Sequence, residues 1–460
     1  MLAILVAAGF IQSSRAVAIQ NVTVIEPGKT QVRNHCTVVI DHGIFTQVGD
    51  SNKIRIPVGA QQVDGTGKFL IPGLWDMHVH PAVESDLGLF TANGITGIRI
   101  MAGVPMYFDW RKRIQSGELL GPEMFIASPI VDGKNPIQRH SLSLPLGGDA
   151  RALVSKLKAE GWDFIKTYDS LTRESYLALA KEARVQGIPI AGHIPFAINP
   201  VEAAKNGQLS MEHLSGIMES CFKGEPEFRA KLQAAMRTEE PYFTTVDRVI
   251  TEMGPEKLTH DPIRAKKLCE DLGKTKMWQC PTLIGTRVLA YADELTNTPD
   301  ERMKYVTLEI QEYWKKRNEK DIKEAPKEAW DEWKSQFKEK FAMVLPLKKA
   351  GNRFLAGSDS QVPFCYFGFS LHDELALLVE AGFTPTEALE TATINPARFF
   401  GQERKWGTVA KGKRADAVLL DRNPLVDIHN TTSIRAVIRN GRILLRDELD
   451  AILKATENRP

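Results

Sequence analysis

The sequence predicts an α/β fold: a (β/α)8, or TIM, barrel with a small composite β-sandwich built from both chain ends. Short runs of β-branched residues, separated by turns rich in Gly, Pro and Asp, occupy residues 18–73. The same pattern occurs again in residues 401–460. Between them, residues 74–400 alternate short apolar strands with amphipathic helices. Such alternation is typical of parallel β/α units, and the length of the segment suits a closed barrel.

The two terminal segments carry the signs of antiparallel strands. The first reads IQNVTVIEPGKT, TVVIDHGIFTQVGD and AQQVDGTGKFLIPGL, and the last reads GTVAKGKRADAVLL and IRAVIRNGRILL. Runs of this kind, bounded by turn residues, predict short strands. Because neither segment is long enough to form a core alone, we expect one composite sandwich made from both.

The middle segment supplies the units of the predicted barrel. Its strands include GIRIM, MFIAS, DFIKTY, IPIAG and FLAGSD, and its helices include ARALVSKLKAEG, RESYLALAKEARVQG and SLHDELALLVEAG. Residues 220–345 are charged and rich in Trp and Lys, as in RMKYVTLEIQEYWKKRNEK. We interpret much of this stretch as a helical insertion that forms a lid or rim. Ordinary outer helices of the barrel are the equally weighted alternative.

Composition and charge argue against several classes of protein. Lys and Arg number 59 against 57 Asp and Glu, so no bulk charge draws the chain to nucleic acid or to a membrane surface. The five cysteines are dispersed without a C-x-x-C pair, which favours free thiols over a disulfide framework or a thiolate zinc site. Beyond the N-terminus no run reaches the roughly 18 apolar residues of a membrane span.

Residues 1–17 form a candidate leader segment. They begin with the apolar run MLAILVAAGF and continue with IQSSRAVA, which ends in the small-x-small pattern of a secretory cleavage site. The basic region that opens such signals is missing, and an N-terminal strand is the alternative. We expect a secreted or periplasmic protein if the segment is a signal, and a cytoplasmic one otherwise.

The sharpest chemical signal is the pair His78 and His80 in LIPGLWDMHVH. Residues at i and i+2 of a strand project to the same face, and at the carboxyl end of a barrel strand that face looks into the site. Two imidazoles so placed are natural ligands for a divalent cation such as zinc. An H-x-H pair alone is weak evidence, and the apolar strand before it makes the evidence strong.

With this motif the sequence resembles the amidohydrolase superfamily, whose first barrel strand ends in such a pair. The resemblance continues in chain order through DFIKTY, IPIAGHIPF, LSMEHLSG and FLAGSDS, and then through LHDELALLVEAGFTPTEALETATINPARFFG and GTVAKGKRADAVLL. It covers essentially residues 18–445 outside 220–345, and it is nearest to the imidazolonepropionase-like and prolidase-like branch with a carboxylated lysine. The metal ligands that it implies are His78, His80, Lys166, His193, His213 and Asp359.

This resemblance implies two divalent metal ions, with zinc as the favoured metal. One ion would be held by His78, His80, Lys166 and Asp359, and the other by Lys166, His193 and His213. A lysine ammonium would be repelled by two cations, whereas the carbamate that its neutral amine forms with carbon dioxide is an anion able to bridge them. Asp359 is then the expected catalytic residue, taking a proton from the metal-bridging hydroxide and returning it to the departing nitrogen.

Three of these ligands also have an ordinary structural explanation. A lone histidine such as His213 is more often structural than a metal ligand, Lys166 could form a salt bridge, and Asp359 could cap a helix. Their occurrence together in the order of the superfamily favours metal binding for all three.

Three further residues are candidates for contact with a substrate. Tyr168 shares the face of Lys166 and is positioned to hydrogen-bond a substrate, with packing at the rim as the equal alternative. Arg139 and His140 lie in a loop after the third strand, where a substrate carboxylate could be held, although most such loop charges are merely solvated.

The sequence therefore predicts a metal-dependent hydrolase acting on carbon–nitrogen bonds. We expect a binuclear amidohydrolase for a small substrate such as a dipeptide or N-acyl amino acid, not for large proteins; the chain is also compatible with a homo-oligomer. The alternatives are a deaminase or cyclic amide or imide hydrolase on the same scaffold, and a non-catalytic binding or scaffold relative. Mononuclear deaminases of the superfamily usually lack the bridging lysine and carry a glutamate near the third strand-end histidine, and none follows His193. The complete set of expected ligands disfavours the non-catalytic relative.

Overall fold

The computed structural model describes residues 16–28, 32–138, 140–236 and 242–459. Of the predicted leader, residues 1–15 lie outside the described part, and Val17 begins the first strand. The strands of the described part are β1 Val17–Val24, β2 Arg33–Asp41, β3 Ile44–Asp50, β4 Gln61–Asp64, β5 Phe69–Pro72, β6 Leu74–Val79, β7 Ile95–Ile100, β8 Glu123–Ile126, β9 Val131–Asp132, β10 Leu142–Ser143, β11 Ile165–Thr167, β12 Ile190–Gly192, β13 Gln208–Glu212, β14 Trp278–Cys280, β15 Arg353–Phe354, β16 Ala417–Leu420, β17 Ile434–Arg439 and β18 Arg442–Leu445.

The helices alternate with these strands through the middle of the chain. They are α1 Asp86–Ala92, α2 Met106–Ser116, α3 Ala150–Ala159, α4 Arg173–Gln186, α5 Pro200–Lys205, α6 Ile217–Ser220, α7 Glu225–Ala235, α8 Tyr242–Met253, α9 Pro262–Gly273, α10 Leu283–Ala290, α11 Ala292–Leu295, α12 Leu308–Glu324, α13 Lys327–Ala342, α14 Val344–Lys349, α15 Ser370–Glu380, α16 Pro385–Thr391, α17 Ile394–Phe399 and α18 Arg446–Ala455, with 3-10 turns at Glu301–Tyr305 and Ile428–Thr432. Among the described helices, none combines the length and the apolar character needed to cross a bilayer.

Strands from both chain ends lie in one eight-stranded sheet. Its order is β18-β17-β16-β5-β1-β2-β3, with β4 paired to β1. The two ends meet where β5 pairs antiparallel with β16, from Phe69 opposite Leu420 to Pro72 opposite Ala417. Side chains from both ends also share one buried apolar cluster, which includes Ile19 and Leu419. The sequence pattern common to residues 18–73 and 401–460 thus corresponds to strands that are neighbours in space.

Two parallel sheets occupy the middle of the chain. One has the order β6-β7-β8, and the other β10-β9-β11-β12-β13-β14-β15. Isolated parallel bridges connect the two sheets: Ala127, just after β8, pairs with Phe164, just before β11, and Val79 of β6 pairs with Ser360 in the loop after β15. This arrangement confirms the predicted α/β class with parallel strands; within the described part the two sheets are not one continuous closed sheet.

The composition of the strands explains their burial. Every residue of β6 and β7 is buried, as expected where helices cover one face of a parallel sheet and a core fills the other.

Local signals mark both ends of the helices. At the start of α4 the side chain of Thr172 accepts a hydrogen bond from the backbone N–H of Ser175, and at its end Gly187 adopts a left-handed φ of 70°. All five cysteines are free and buried, which confirms the prediction of free thiols.

The stretch 220–345 is not a continuous insertion. It holds helices α7 to α13, but it also contains β14, which pairs between β13 and β15 in the parallel sheet. This strand has only three residues, WQC, and so offers no periodicity that sequence reading can detect. The remainder is helical as expected, and α13 packs against α10.

We expect Gly97→Ala in β7 to destabilise the protein. A Cβ at Gly97 would lie 2.1 Å from Cε2 of Trp75, which is buried and stacked on Trp406 with ring centroids 4.2 Å apart. Because the neighbours of Trp75 leave its ring no room to move, the overpacking should lower the free energy of unfolding by about 1–3 kcal/mol. This loss would be seen as a lower midpoint of urea unfolding. The control is Gly49→Ala in β3, where the nearest atom is Ile54 Cδ1 at 3.5 Å. Equal midpoints for both variants would contradict the predicted clash.

Candidate metal centre

The residues expected to hold metal lie at one edge of the parallel sheets. Each belongs to the carboxyl end of a strand or to the loop that follows it, and these ends meet at one face in parallel β/α folds. His78 is in β6 with His80 just beyond it, Lys166 is in β11, His193 follows β12, His213 follows β13, and Asp359 lies in the loop after β15.

Asp359 lies at the centre of this group. Its Oδ1 is 3.3 Å from Nε2 of His78 and 3.2 Å from Nε2 of His80, and its Oδ2 is 3.8 Å from Nδ1 of His213. The ring of His213 is also close to its neighbours, with centroids 4.6 Å from His78 and 4.8 Å from His193. The fold therefore brings the four predicted histidines and the aspartate to one place.

Lys166 reaches the same region from within the sheet. Its side chain is 1% exposed and passes so close to Gly192 that a Cβ there would lie 2.9 Å from Lys166 Cδ. Burial lowers the pKa of Lys166 to about 8, although Glu212 and Asp359 act to raise it. The lowered pKa favours the neutral amine, which is the form able to react with carbon dioxide.

Two carboxylates accept hydrogen bonds from the Nδ1 atoms of two of the histidines. Nδ1 of His78 donates to Oε2 of Glu212 at 2.9 Å, and Nδ1 of His193 donates to Oδ1 of Asp169 at 3.0 Å. A hydrogen bond from Nδ1 to a carboxylate leaves the lone pair on Nε2, and it fixes the orientation of the ring. Both imidazoles are therefore held in the tautomer that binds metal through Nε2.

The tautomer of His213 follows from a chain of two hydrogen bonds. The hydroxyl of Thr282 donates to the carbonyl oxygen of Pro281 at 2.8 Å, so it accepts from Nδ1 of His213, which is 2.6 Å away. The remaining lone pair of His213 is then on Nε2, as for the other two rings.

The electrostatics favour neutral imidazoles around an anionic aspartate. Burial is the largest cause that lowers the pKa of His78, His193 and His213 well below the usual range, and the charge of Lys166 lowers all three further. Burial alone would raise the pKa of Asp359, but the neighbouring histidines and Lys166 outweigh it, so that this pKa is lowered. Neutral imidazole and carboxylate are the forms in which these groups coordinate metal.

A second group, His78, Glu212 and Cys280, also brings possible ligands together but does not suit a cation. Nη2 of the buried Arg99 donates to Oε2 of Glu212 at 2.7 Å, on the same oxygen that His78 contacts. The carboxylate therefore already has its counter-ion. Burial also raises the pKa of Cys280 well above its usual value, which keeps the thiol protonated. We interpret this group as support for His78.

The group around Asp359 does fit a divalent metal. His78, His213 and Asp359 each offer a ligand atom within 4.8 Å of the others. Imidazole nitrogens and a carboxylate oxygen are suitable ligands for zinc and related cations. Both the types of donor atom and their protonation states are those that metal coordination requires. This part of the structure is therefore able to hold metal.

The comparison with known proteins identifies the family. A family model described as the amidohydrolase family matches residues 69–444. The chain belongs to the amidohydrolase family. As a member it is a hydrolase of the class that acts on carbon–nitrogen bonds, which confirms the predicted class of enzyme; the family generally binds divalent metals.

Solved structures share the fold of this amidohydrolase. A putative prolidase from Bifidobacterium longum has a TM-score of 0.68 at 22% identity, covering 96% of this chain and 99% of its own. A bottromycin amidohydrolase has a TM-score of 0.75 at 21% identity, covering 98% of this chain and 92% of its own. The adenine deaminase of Methanothrix thermoacetophila is 41% identical over 70 residues, or 15% of this chain, and the match spans only 11% of that relative's length.

The three predicted substrate contacts have different locations. The ring of Tyr168 stacks on His193 with centroids 4.1 Å apart, and its hydroxyl accepts from Nε2 of Gln138 at 3.2 Å. His140 is exposed between β9 and β10, and within the described residues it has no bond to the metal centre. Arg139 lies outside the described residues. Of the three, Tyr168 borders the metal centre.

Sequence reasoning missed the residues that support the ligands. Glu212 immediately precedes His213, and Asp169 follows Lys166 by three positions, so each was visible beside a predicted ligand. Arg99 offered a clearer signal, because a charged residue within the apolar strand β7 requires a buried partner. Thr282 offered none, since its role depends on a loop whose path is not encoded in any local pattern.

Proposed function

We propose that this amidohydrolase uses two divalent metal ions, zinc being favoured, to cleave an amide or peptide-like carbon–nitrogen bond in a small substrate such as a dipeptide or N-acyl amino acid. The observation that carries the proposal is the convergence of His78, His80 and His213 on Asp359, with His193 against His213, beside the buried Lys166. The similar folds of a putative prolidase and a bottromycin amidohydrolase support the class of substrate.

The ligands that we propose are those of the sequence analysis, with Lys166 as a bridging carbamate. Its neutral amine attacks the carbon of carbon dioxide and loses a proton, which yields an anion with two oxygens. Bound divalent metals would supply water of lowered pKa and would polarise the substrate carbonyl. Glu212, Asp169 and Thr282 keep His78, His193 and His213 in the orientation described above.

Asp359 is the proposed proton carrier. Its low pKa keeps the carboxylate ionised and able to accept a proton from the attacking water. The same carboxyl group then donates that proton to the leaving nitrogen, so that the amine departs neutral. A single group can serve first as base and then as acid because the proton that it accepts in the first step is the one that it donates in the second.

We also propose the domain organisation that the strands suggest. The two parallel sheets would be arcs of one (β/α)8 barrel formed by residues 74–400, and the bridges at Ala127–Phe164 and Val79–Ser360 support this closure. Residues 18–73 and 401–460 would form the composite sandwich, which is supported by the sheet and the core that both ends share.

Metal analysis, mass spectrometry and a substrate screen test the proposed function. We expect about two zinc ions per chain after zinc loading, since a binuclear site needs both. Mass spectrometry under native conditions should find the mass of one carbon dioxide on the peptide that contains Lys166. The zinc enzyme should release amino acid from members of a panel of dipeptides and N-acyl amino acids. Absence of metal, or of hydrolysis across the whole panel, would refute the proposal.

Deamination is the second candidate. The segment similar to an adenine deaminase favours it, although this segment covers 15% of the chain. About one tightly bound metal per chain together with release of ammonia from an amino-substituted base would identify a mononuclear deaminase instead. Metal content and product therefore distinguish the two candidates.

A further inference from the structure

A cavity of about 780 Å³ lies beside the proposed metal centre. One wall contains Phe196, three residues after His193, and its backbone N–H donates to the carbonyl oxygen of Asp169 at 3.3 Å. Asp169 in turn holds His193, so this wall begins at the edge of the metal centre. The volume is within the range of about 300–1,000 Å³ typical of sites for small molecules.

Another part of the cavity wall comes from α13 and carries both aromatic and polar side chains. It includes Trp330, Trp333 and Phe337. Trp330 is 6% exposed and meets Trp333 edge to face, with ring centroids 4.7 Å apart. The three aromatic rings of this wall favour contact with a bulky apolar group, since aromatic rings provide a large contact area at little cost in conformational entropy.

The last turn of α13 adds a cation, Lys340, to the same cavity. Within the described part of the chain, its Nζ has no hydrogen bond or ion pair. Burial lowers the pKa of Lys340, while Glu219 and Asp169 act to raise it. The charge of Lys340 also lowers the pKa of both Asp169 and His193. The other cation of the cavity, Arg317, is 3.6 Å from Asp321.

We propose that Lys340 binds a carboxylate of the substrate while Trp330, Trp333 and Phe337 contact an apolar group, so that the substrate is an amide carrying both. This inference rests on the proposed function and narrows it from small amides in general to anionic amides with a bulky apolar group. An ammonium that has no hydrogen bond or ion pair among the described residues gains a charge-assisted hydrogen bond to a substrate carboxylate. The charge of Glu219 acts to raise the pKa of this amine, which opposes the effect of burial and favours the charged form.

The test uses an N-acyl amino acid with an aromatic acyl group and the matched carboxamide, which lacks the negative charge. Cleavage of the acyl–nitrogen bond is followed by chromatography for the wild type, Lys340→Met, Lys340→Arg and Lys338→Met. We expect Lys340→Met to lower kcat/KM for the acid about 10- to 100-fold, mainly through KM, and to change that for the carboxamide little. Lys340→Arg should restore most of the loss. Lys338→Met, at an exposed lysine of the same helix, should resemble the wild type.

Two outcomes separate this inference from the proposed function. Equal effects of Lys340→Met on acid and carboxamide, with normal thermal unfolding, would overturn the role of Lys340 while leaving the hydrolase intact. If no amide is hydrolysed, the proposed function fails, and calorimetric binding of the acid to Asp359→Asn still tests Lys340. There, adding Lys340→Met should raise the Kd about 10- to 100-fold, and an unchanged Kd would overturn the role of Lys340.

Discussion

Replacing Asp359 with Asn is expected to lower kcat of this amidohydrolase by about 10²- to 10⁴-fold, the usual contribution of a positioned proton carrier. The amide keeps the shape of the side chain but cannot accept a proton at neutral pH. His78 and His80 lie 3.3 and 3.2 Å from Oδ1, and an asparagine oxygen can still occupy that position. The loss should therefore appear in kcat per bound metal, measured with saturating substrate and zinc-loaded protein.

Metal content decides how that result is interpreted. We expect the Asp359→Asn protein to retain its metal in elemental analysis, because the four histidines and Lys166 are unchanged. Asp109→Asn, at an exposed position of α2, is the control and should match the wild type in both measurements. Wild-type kcat in the Asp359→Asn protein would refute the proton-carrier role. Loss of metal with normal kcat per remaining metal would make Asp359 a ligand only.

Replacing Glu212 with Gln is expected to destabilise the protein by about 3–5 kcal/mol, the cost of breaking a buried ion pair. Glu212 is 0% exposed, and its Oε2 accepts from Nη2 of Arg99 at 2.7 Å. Its Oε1 accepts from the hydroxyl of Ser210 at 2.5 Å. Glutamine removes the negative charge and leaves the buried guanidinium of Arg99 without compensation. Urea unfolding followed by circular dichroism should show the loss as a lower midpoint.

The same substitution should weaken metal binding. Since Glu212 orients His78 through Nδ1, its loss should reduce the metal affinity about 10- to 100-fold, which competition with a chelator can measure. Adding Arg99→Met to Glu212→Gln should recover much of the stability but not the affinity. Glu118→Gln, in the exposed pair with Arg113, is the control and should cost about 1 kcal/mol at most. A wild-type unfolding midpoint for Glu212→Gln would contradict the importance of the buried pair.

Local patterns predicted much of the fold and the positions of the candidate ligands. The H-x-H pair at the end of an apolar strand could be interpreted without a structure, because the alternation of a strand places both imidazoles on one face. Lys166, His193 and His213 were predicted through the resemblance to the amidohydrolase superfamily, each at or just after the end of a short apolar run. Strands β7, β8, β11 and β12 and helices α3, α4 and α15 were likewise recognisable.

Contacts distant in sequence were not predictable from such patterns. The hydrogen bond from His78 to Glu212 joins residues 134 positions apart, and the one from Arg99 to Glu212 joins residues 113 apart. The three-residue strand β14 is too short to show any period, so the stretch 220–345 was interpreted as mainly an insertion. The position of Lys340 depends on how α13 packs over the cavity, which no pattern within the helix specifies.

By itself, the sequence determined the class of fold, the order of the strand ends and the types of side chain at those ends. Hydrophobic periodicity and turn residues act over a few positions, and these are the features that they control. The tertiary structure alone decided which acid holds which histidine, how Arg99 is neutralised and what lines the cavity. The physical reason is that a buried polar group must find its partners wherever the packed chain brings them, at a separation that local propensity does not encode.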